Sequence, residues 1–119
     1  MQIITINNII DLDYSTVLEL LSPIYTKEIP VIDIGKPVDL IQIEKLATFF
    51  VNQYAFIAEL WGVMLHQVRL LKRTSKNKDA IDEAMDKRDL LAQVLAVCKV
   101  KHYACSRLLS YHGERYAPK

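Results

Sequence analysis

From Ile43 onward the apolar positions recur at steps of three and four, through Leu46, Phe50, Tyr54, Ile57, Trp61, Met64, Val68 and Leu71. On a helix of 3.6 residues per turn, that spacing draws one continuous stripe. Asn52, Glu59 and His66 fall at steps of seven on a different face. Asp39 precedes the run with Gln42 three residues on, the Asp-x-x-Gln form of a capping box, and Pro37 bars a helix just upstream. The pattern predicts a helix over 39–73, roughly 50 Å long at about 1.5 Å per residue. A second periodic run holds Ile81, Ala84, Leu91, Leu95, Cys98, Cys105 and Leu109, widened by Met85, Val94 and Leu108 and interrupted by Arg88 and His102. Asn77 can cap it, and Asp79, Asp82 and Glu83 put negative charge on its first turns, where the helix dipole favours it. This predicts a helix over 78–111. The two arms meet at the polar run Thr74-Ser75-Lys76-Asn77, so a short connection and an antiparallel hairpin are the natural solution.

The rest of the chain is read against that hairpin. Residues 1–10 alternate weakly (Ile3, Ile4, Ile6, Ile9, Ile10) and suit a short strand, an extended arm or a helix entry, with β-branching favouring the extended form. Asp11 or Asp13 can cap a short helix through Leu21, with Leu12, Val17, Leu18, Leu20 and Leu21 as its apolar face and Pro23 stopping it. From Ser22 to Val38 three prolines and Gly35 enforce an extended connection. Its apolar residues Ile29, Val31, Ile32 and Ile34 point to a strap laid along the hairpin or across to a neighbouring subunit. The tail 112–119 should fray. The expected architecture is a single all-α domain, 1–119, in which the N-terminal helix and strap occupy 1–38 beside the two long helices.

Composition adds a reason to expect a partner. Apolar residues make up 51% of the 119 positions, enough for a core. The first arm, however, carries Phe49, Val51, Leu60, Val63 and Leu70 off its main stripe. Leaving several such side chains in water would forfeit several kcal/mol at about 25 cal/mol per Å². The N-terminal segment, a second subunit or both should cover them, and a homo-oligomer is expected. The net charge is +1, but residues 1–65 hold three Lys/Arg against eight Asp/Glu, and residues 66–119 hold twelve against six. Such asymmetry suits head-to-tail self-association, or an acidic protein-facing region beside a basic nucleic-acid-facing one; solvated helix faces with unequal totals would look the same.

Cys98 and Cys105 lie seven apart on one predicted helix, about 10 Å between Cα atoms, too far for an internal disulfide. As reduced seam residues they fit an intracellular, cytoplasmic protein. The opening residues lack a basic stretch and cleavage site and do not read as a signal peptide. The longest apolar run, Tyr54 to Leu65, contains Glu59, which argues against a membrane span.

Candidate chemistry is sparse. The chain carries no Gly-rich phosphate loop, nucleophile elbow or zinc-helix pattern, so no cofactor or metal is expected. The carboxylates Asp82, Glu83, Asp86 and Asp89, interleaved with Lys78, Lys87 and Arg88, read as a solvated face matched to the helix dipole. Arg69, Lys72, Arg73, Lys76 and Lys78 cluster around the hairpin turn, and Lys99, Lys101, Arg107, Arg115 and Lys119 follow along the second arm. Such charges can neutralise phosphates, with Tyr103, Tyr111 and Tyr116 as stacking platforms or, equally, core and interface residues. Arg107-Leu-Leu-Ser-Tyr-His112 has the Arg-x4-His spacing of HEPN-type ribonucleases. There His112 would act as general base or acid and Arg107 would stabilise the anionic transition state, two subunits sharing one scissile phosphate.

The order of features from 38 to 112 is Val38-Asp39-Leu40 entering a long helix, Tyr54-Ala55-Phe56-Ile57-Ala58-Glu59-Leu60, a Lys-rich turn, Asp86-Lys87-Arg88-Asp89-Leu90-Leu91, and Tyr103-Ala104-Cys105-Ser106-Arg107-Leu108-Leu109. In outline it resembles the UvsY-type recombination mediators of phage recombination modules. That resemblance implies a non-catalytic, phage-encoded or mobile-element protein in the host cell cytoplasm that assembles into a ring-like homo-oligomer. It would bind single-stranded DNA and help a recombinase displace single-strand-binding protein. DNA contact would fall to Arg69, Lys72, Arg73, Lys76 and Lys78, with Lys87 and Arg88 nearby, and oligomer contact to the N-terminal segment. Two other function classes remain open: a protein-interaction module, such as a phage inhibitor of a host or defence protein that uses the acidic N-terminal half, and the HEPN-like ribonuclease.

Overall fold

The structure, a computed structural model, describes residues 2–29 and 39–116, with the side chains of 112–116 outside the description. Its elements are α1 (Tyr14–Tyr25), α2 (Leu40–Thr74) and α3 (Lys78–Tyr116), and no strand occurs among the described residues. The hairpin is as expected: α2 and α3 pack along one another, and α1 lies against α3. A compact chain of this length has a radius of gyration of roughly 13–14 Å, whereas this one has 18.3 Å and extents of 65 × 26 × 21 Å. Two long helices with one short helix laid on them cannot be rounder.

Each boundary has a local cause. Asp39 accepts the Gln42 N–H at 3.1 Å, starting α2 where the capping pattern placed it. At the other end the Ser75 N–H returns to Leu71 O and the Thr74 hydroxyl to Leu70 O, both at 2.8 Å. Ser75 itself is extended. Asn77 then accepts the N–H groups of Asp79 (3.1 Å) and Ala80 (3.3 Å) and opens α3. Replacing Asn77 with alanine strips two first-turn donors of their acceptor. The expected loss is about 1 kcal/mol, or about 4–8 °C in a domain of this size; an unchanged thermal midpoint would show that the cap contributes nothing.

Three expectations change. Pro23 does not stop α1, which runs through it to Tyr25. Proline forfeits one N–H bond and crowds the carbonyl four residues back, and in the last turn the exit is closed by Thr26, whose N–H and hydroxyl both reach Ser22 O, at 3.0 and 2.7 Å. Ser22 to Tyr25 therefore belongs to the helix, not to the extended connection. Second, α3 continues to Tyr116, so the backbone of 112–116, expected to fray, stays helical. Third, the extended form that β-branching favoured is not adopted: residues 6–11 form consecutive turns that lead into α1, in keeping with the helix entry among the three readings and not with a strand or extended arm. Thr5 and Asn8 cap each other there, the Thr5 N–H donating to Asn8 Oδ1 at 2.7 Å and the Asn8 N–H to Thr5 Oγ1 at 3.2 Å. Of the two candidate caps for α1, Asp13 is the one used: it accepts the Thr16 N–H at 2.8 Å. Thr16, through its side chain first and its N–H second, holds the Asp13 carboxyl below the usual range, with a smaller contribution from Lys87.

The main core gathers Ile4 and Ile9 from the turns, Val17, Leu21 and Ile24 from α1, Ile57, Leu60, Met64 and Val68 from α2, and Ala84, Leu90, Leu91, Val94 and Cys98 from α3. A smaller core at the open end of the hairpin holds Ile43, Leu46, Ala47, Phe50 and Cys105, with Ile29 against it. The beginning of the strap thus lies on the hairpin; Val31, Ile32, Ile34 and Gly35 fall outside the described residues. Much of the apolar surplus of α2 is covered within the chain: Leu60 is fully buried and Phe49 and Val63 partly so, with Lys27 over the Phe49 ring, whereas Val51 and Leu70 stay exposed. Both cysteines are free and buried, and burial raises both thiols above their ordinary range. No helix among the described residues is long and apolar enough to cross a membrane.

Candidate nucleic-acid interface at the hairpin tip

The last turn of α2, the three-residue connection and the first turn of α3 bring Arg69, Lys72, Arg73, Lys76 and Lys78 to one end of the rod. All five are exposed, and no hydrogen bond or ion pair among the described residues engages their side chains. Lys72 and Arg73 also stand in the last turn of α2, where the helix dipole favours cations. Asp79 and Asp82 lie close in sequence and moderate the field, so the tip is cationic without being strongly so.

Two residues assigned to the same surface are elsewhere. Lys87 is 3% exposed. Its ammonium donates to Ile9 O at 2.9 Å, Ile10 O at 2.8 Å and Leu12 O at 2.8 Å, which uses all three of its protons on the carbonyls of the N-terminal turns. Burial pulls this lysine below its ordinary range, and Glu83, Asp11 and Asp13 oppose that pull. It holds the fold together and is unavailable to a phosphate. Arg88 is half-buried and donates from Nε (3.1 Å) and Nη2 (3.0 Å) to one oxygen of its neighbour Asp89.

A second clamp was not expected. Lys101 donates to Tyr25 O at 2.7 Å and Lys27 O at 2.6 Å, taking the carboxyl end of α1 as Lys87 takes the turns before it. It lies 5.9 Å from the Phe50 ring centroid, with Lys27 5.0 Å from that of Phe49. The Tyr14 N–H meets Glu83 at 3.2 Å, so α1 runs parallel to α3 and is held at both ends. The signal was present in the sequence: Ala84, Lys87, Leu91, Val94, Cys98, Lys101 and Cys105 alternate steps of three and four, which puts both lysines inside the seam.

Of the Arg-x4-His pair, Arg107 is exposed on α3 and His112 continues the same helix, its side chain outside the described residues. Five residues of helix turn the chain by about 140°, so one copy presents the two on different faces. Tyr103 and Tyr111 are exposed, at 64% and 59%, and Tyr116 lies outside the described side chains. Another feature was not anticipated: an open groove of about 310 Å³ between α2 and α3, lined by Val51, Tyr54, Cys98, Lys99 and His102. No family model matches the chain, and no curated protein or solved structure is found to be similar to it.

Proposed function

We propose that this chain is a non-catalytic protein that binds single-stranded DNA through its hairpin tip and assists recombination in the manner of the mediators it resembles. The observation that supports this reading is the gathering at one end of a long rod of five exposed cations that have no partner among the described residues. Each phosphate neutralised releases counterions, so the contact set makes a quantitative expectation. With Arg69, Lys72, Arg73, Lys76 and Lys78 engaged, the logarithm of the binding constant falls with the logarithm of salt at a slope of about −3.5, taking about 0.7 per contact on a single strand. Changing Lys72, Lys76 and Lys78 together to alanine reduces that slope by roughly 2 and leaves the fold intact, because none of them touches the core. Fluorescence anisotropy of a labelled oligothymidylate across a salt series measures both. Unaltered affinity and slope in the triple variant would sink the reading.

One observation favours a second reading, a protein-interaction module. Asp11, Asp13, Glu19 and Glu28 are exposed on the N-terminal segment, which gives the rod an acidic side as well as a cationic tip. If no single-stranded oligonucleotide binds even at low salt, that side becomes the contact surface for a basic protein partner.

A further inference from the structure

The main core accounts for the side of the hairpin that carries α1; the opposite side has no such cover among the described residues. There Val51 (45% exposed) and Tyr54 (42%) stand in water at the groove that also holds Lys99 and His102. From Val51 the same edge of α2 continues at steps of four and three through Ala55, Ala58, Gly62, Leu65 and Arg69, and seven residues back lies Glu44. A side chain built at Gly62 would meet nothing within 4 Å. The middle of this edge is therefore apolar and low, with one carboxylate at one end and one guanidinium at the other. Both are exposed, and among the described residues neither forms a hydrogen bond or ion pair.

We infer that this face of the hairpin pairs with the same face of a second copy of the chain, antiparallel, about a two-fold axis crossing α2 between Ala55 and Ala58. In a two-fold interface each contact occurs twice, residue i on j and j on i. An axis midway between Glu44 and Arg69 sets each of these charges against its opposite on the other copy. The same axis seats Val51 over the open space at Gly62 and places Ala55 opposite Ala58, where short side chains let the helix axes approach closely. A parallel pairing would instead stack like charges on one another. The stretch from Glu44 to Arg69 spans about 37 Å of helix. Across two helices this amounts to roughly 700 Å² on each copy, close to the ~800 Å² per partner of a stable interface. The inference shares Arg69 with the nucleic-acid reading but does not rest on it: Lys72, Arg73, Lys76 and Lys78 are not used in the pairing and stay available at the tip when Arg69 is engaged by the second copy.

The test is the mass of the full chain by sedimentation equilibrium over a micromolar concentration range, combined with charge reversal. The chain should weigh twice its 13.7 kDa. Glu44→Arg and Arg69→Glu each turn two attractions into two repulsions and should weaken the dimer by roughly tenfold. The double variant should recover affinity to within about threefold, since it restores both pairs with their signs exchanged. Both substituted positions are exposed, and an unchanged thermal unfolding signal of all three variants at concentrations where the protein is monomeric confirms that the fold survives. A monomer at every concentration, or singles that weaken the dimer without rescue in the double, overturns the inference. Loss of DNA binding in the Lys72, Lys76 and Lys78 variant with the dimer intact separates the two readings.

Discussion

Replacing Lys87 with methionine lowers the stability of the folded chain by about 2–4 kcal/mol, a fall of roughly 10–20 °C in the thermal midpoint. The substitution keeps most of the aliphatic volume and takes away only the ammonium. What it strands are the carbonyls of Ile9, Ile10 and Leu12, all three of which depend on that one group. Each buried acceptor left without a donor costs about 1–3 kcal/mol, part of which water recovers where the turn is open and part of which is offset by no longer burying a charge. The damage should be directional. Hydrogen exchange should rise across 5–25, where the turns and α1 depend on the clamp, and stay low across Leu60 to Val68 and Leu90 to Val94 until global unfolding. The pH dependence follows from the direction of the shift. Burial places the folded lysine below its unfolded value, so the unfolded chain binds the proton more tightly. Below the folded value the cost of burying the ammonium is fully present; as pH rises from there towards the ordinary lysine range that cost is relieved. The stability gap between the native protein and the methionine variant should therefore widen as pH rises through that window. A variant as stable as the native protein, with unchanged protection in α1, would mean that the clamp is not structural.

Replacing Phe50 with alanine costs about 3–5 kcal/mol, and the effect falls on the other end of the molecule. Phe50 is fully buried and packs edge-on to Phe49, with ring centroids 5.3 Å apart. It is the largest member of the small core at the open end, where few neighbours can close the cavity. Its buried residues form a group distinct from the main core, with Phe49 packed against both, so its loss should open the end of the hairpin before the rest. Cysteine reactivity reads this directly. Burial keeps both thiols protonated near neutral pH, and only the thiolate reacts. In the alanine variant Cys105, which lies in the small core, should react many times faster with a disulfide reagent, while Cys98 in the main core remains slow. Equal rates at the two cysteines would mean that the cores are not independent.

The parts of this fold legible in the sequence are those in which a local rule and the packing agree. Asp39 and Asn77 cap where the residue types and the apolar periodicity jointly put them, and the polar join at 74–77 is where the chain reverses. Pro23 was misleading because a proline forfeits its own N–H bond without taking away those that follow: the Thr26 N–H still reaches Ser22 O, and the helix runs on to Tyr25. The helix continues past Tyr111 although the apolar stripe weakens there, so periodicity alone set its end too early. Lys87 and Lys101 were counted with the solvated cations because charge was weighed before position. At seam spacing a lysine must either be buried with partners or carry its head out to water, and here a neighbouring segment supplies carbonyl groups for both. Those partners lie more than seventy residues away in sequence, and only the folded arrangement reveals them. That five cations stand exposed at the tip was legible because they flank the polar join and no group among the described residues competes for them.

Everything above depends on α1 sharing one core with α2 and α3 inside a single chain, which fixes the side of the hairpin that stays open and leaves the tip unobstructed. Methyl-to-methyl nuclear Overhauser contacts, recorded on uniformly labelled protein and on a mixture with unlabelled protein that isolates contacts between copies, test this most directly. The account predicts intramolecular contacts linking Val17, Leu21 and Ile24 to Ile57, Leu60, Leu91 and Val94, with non-helical chemical shifts over 75–77. Helical shifts running unbroken from 70 to 82, or contacts from α1 that arise only between copies, would contradict it.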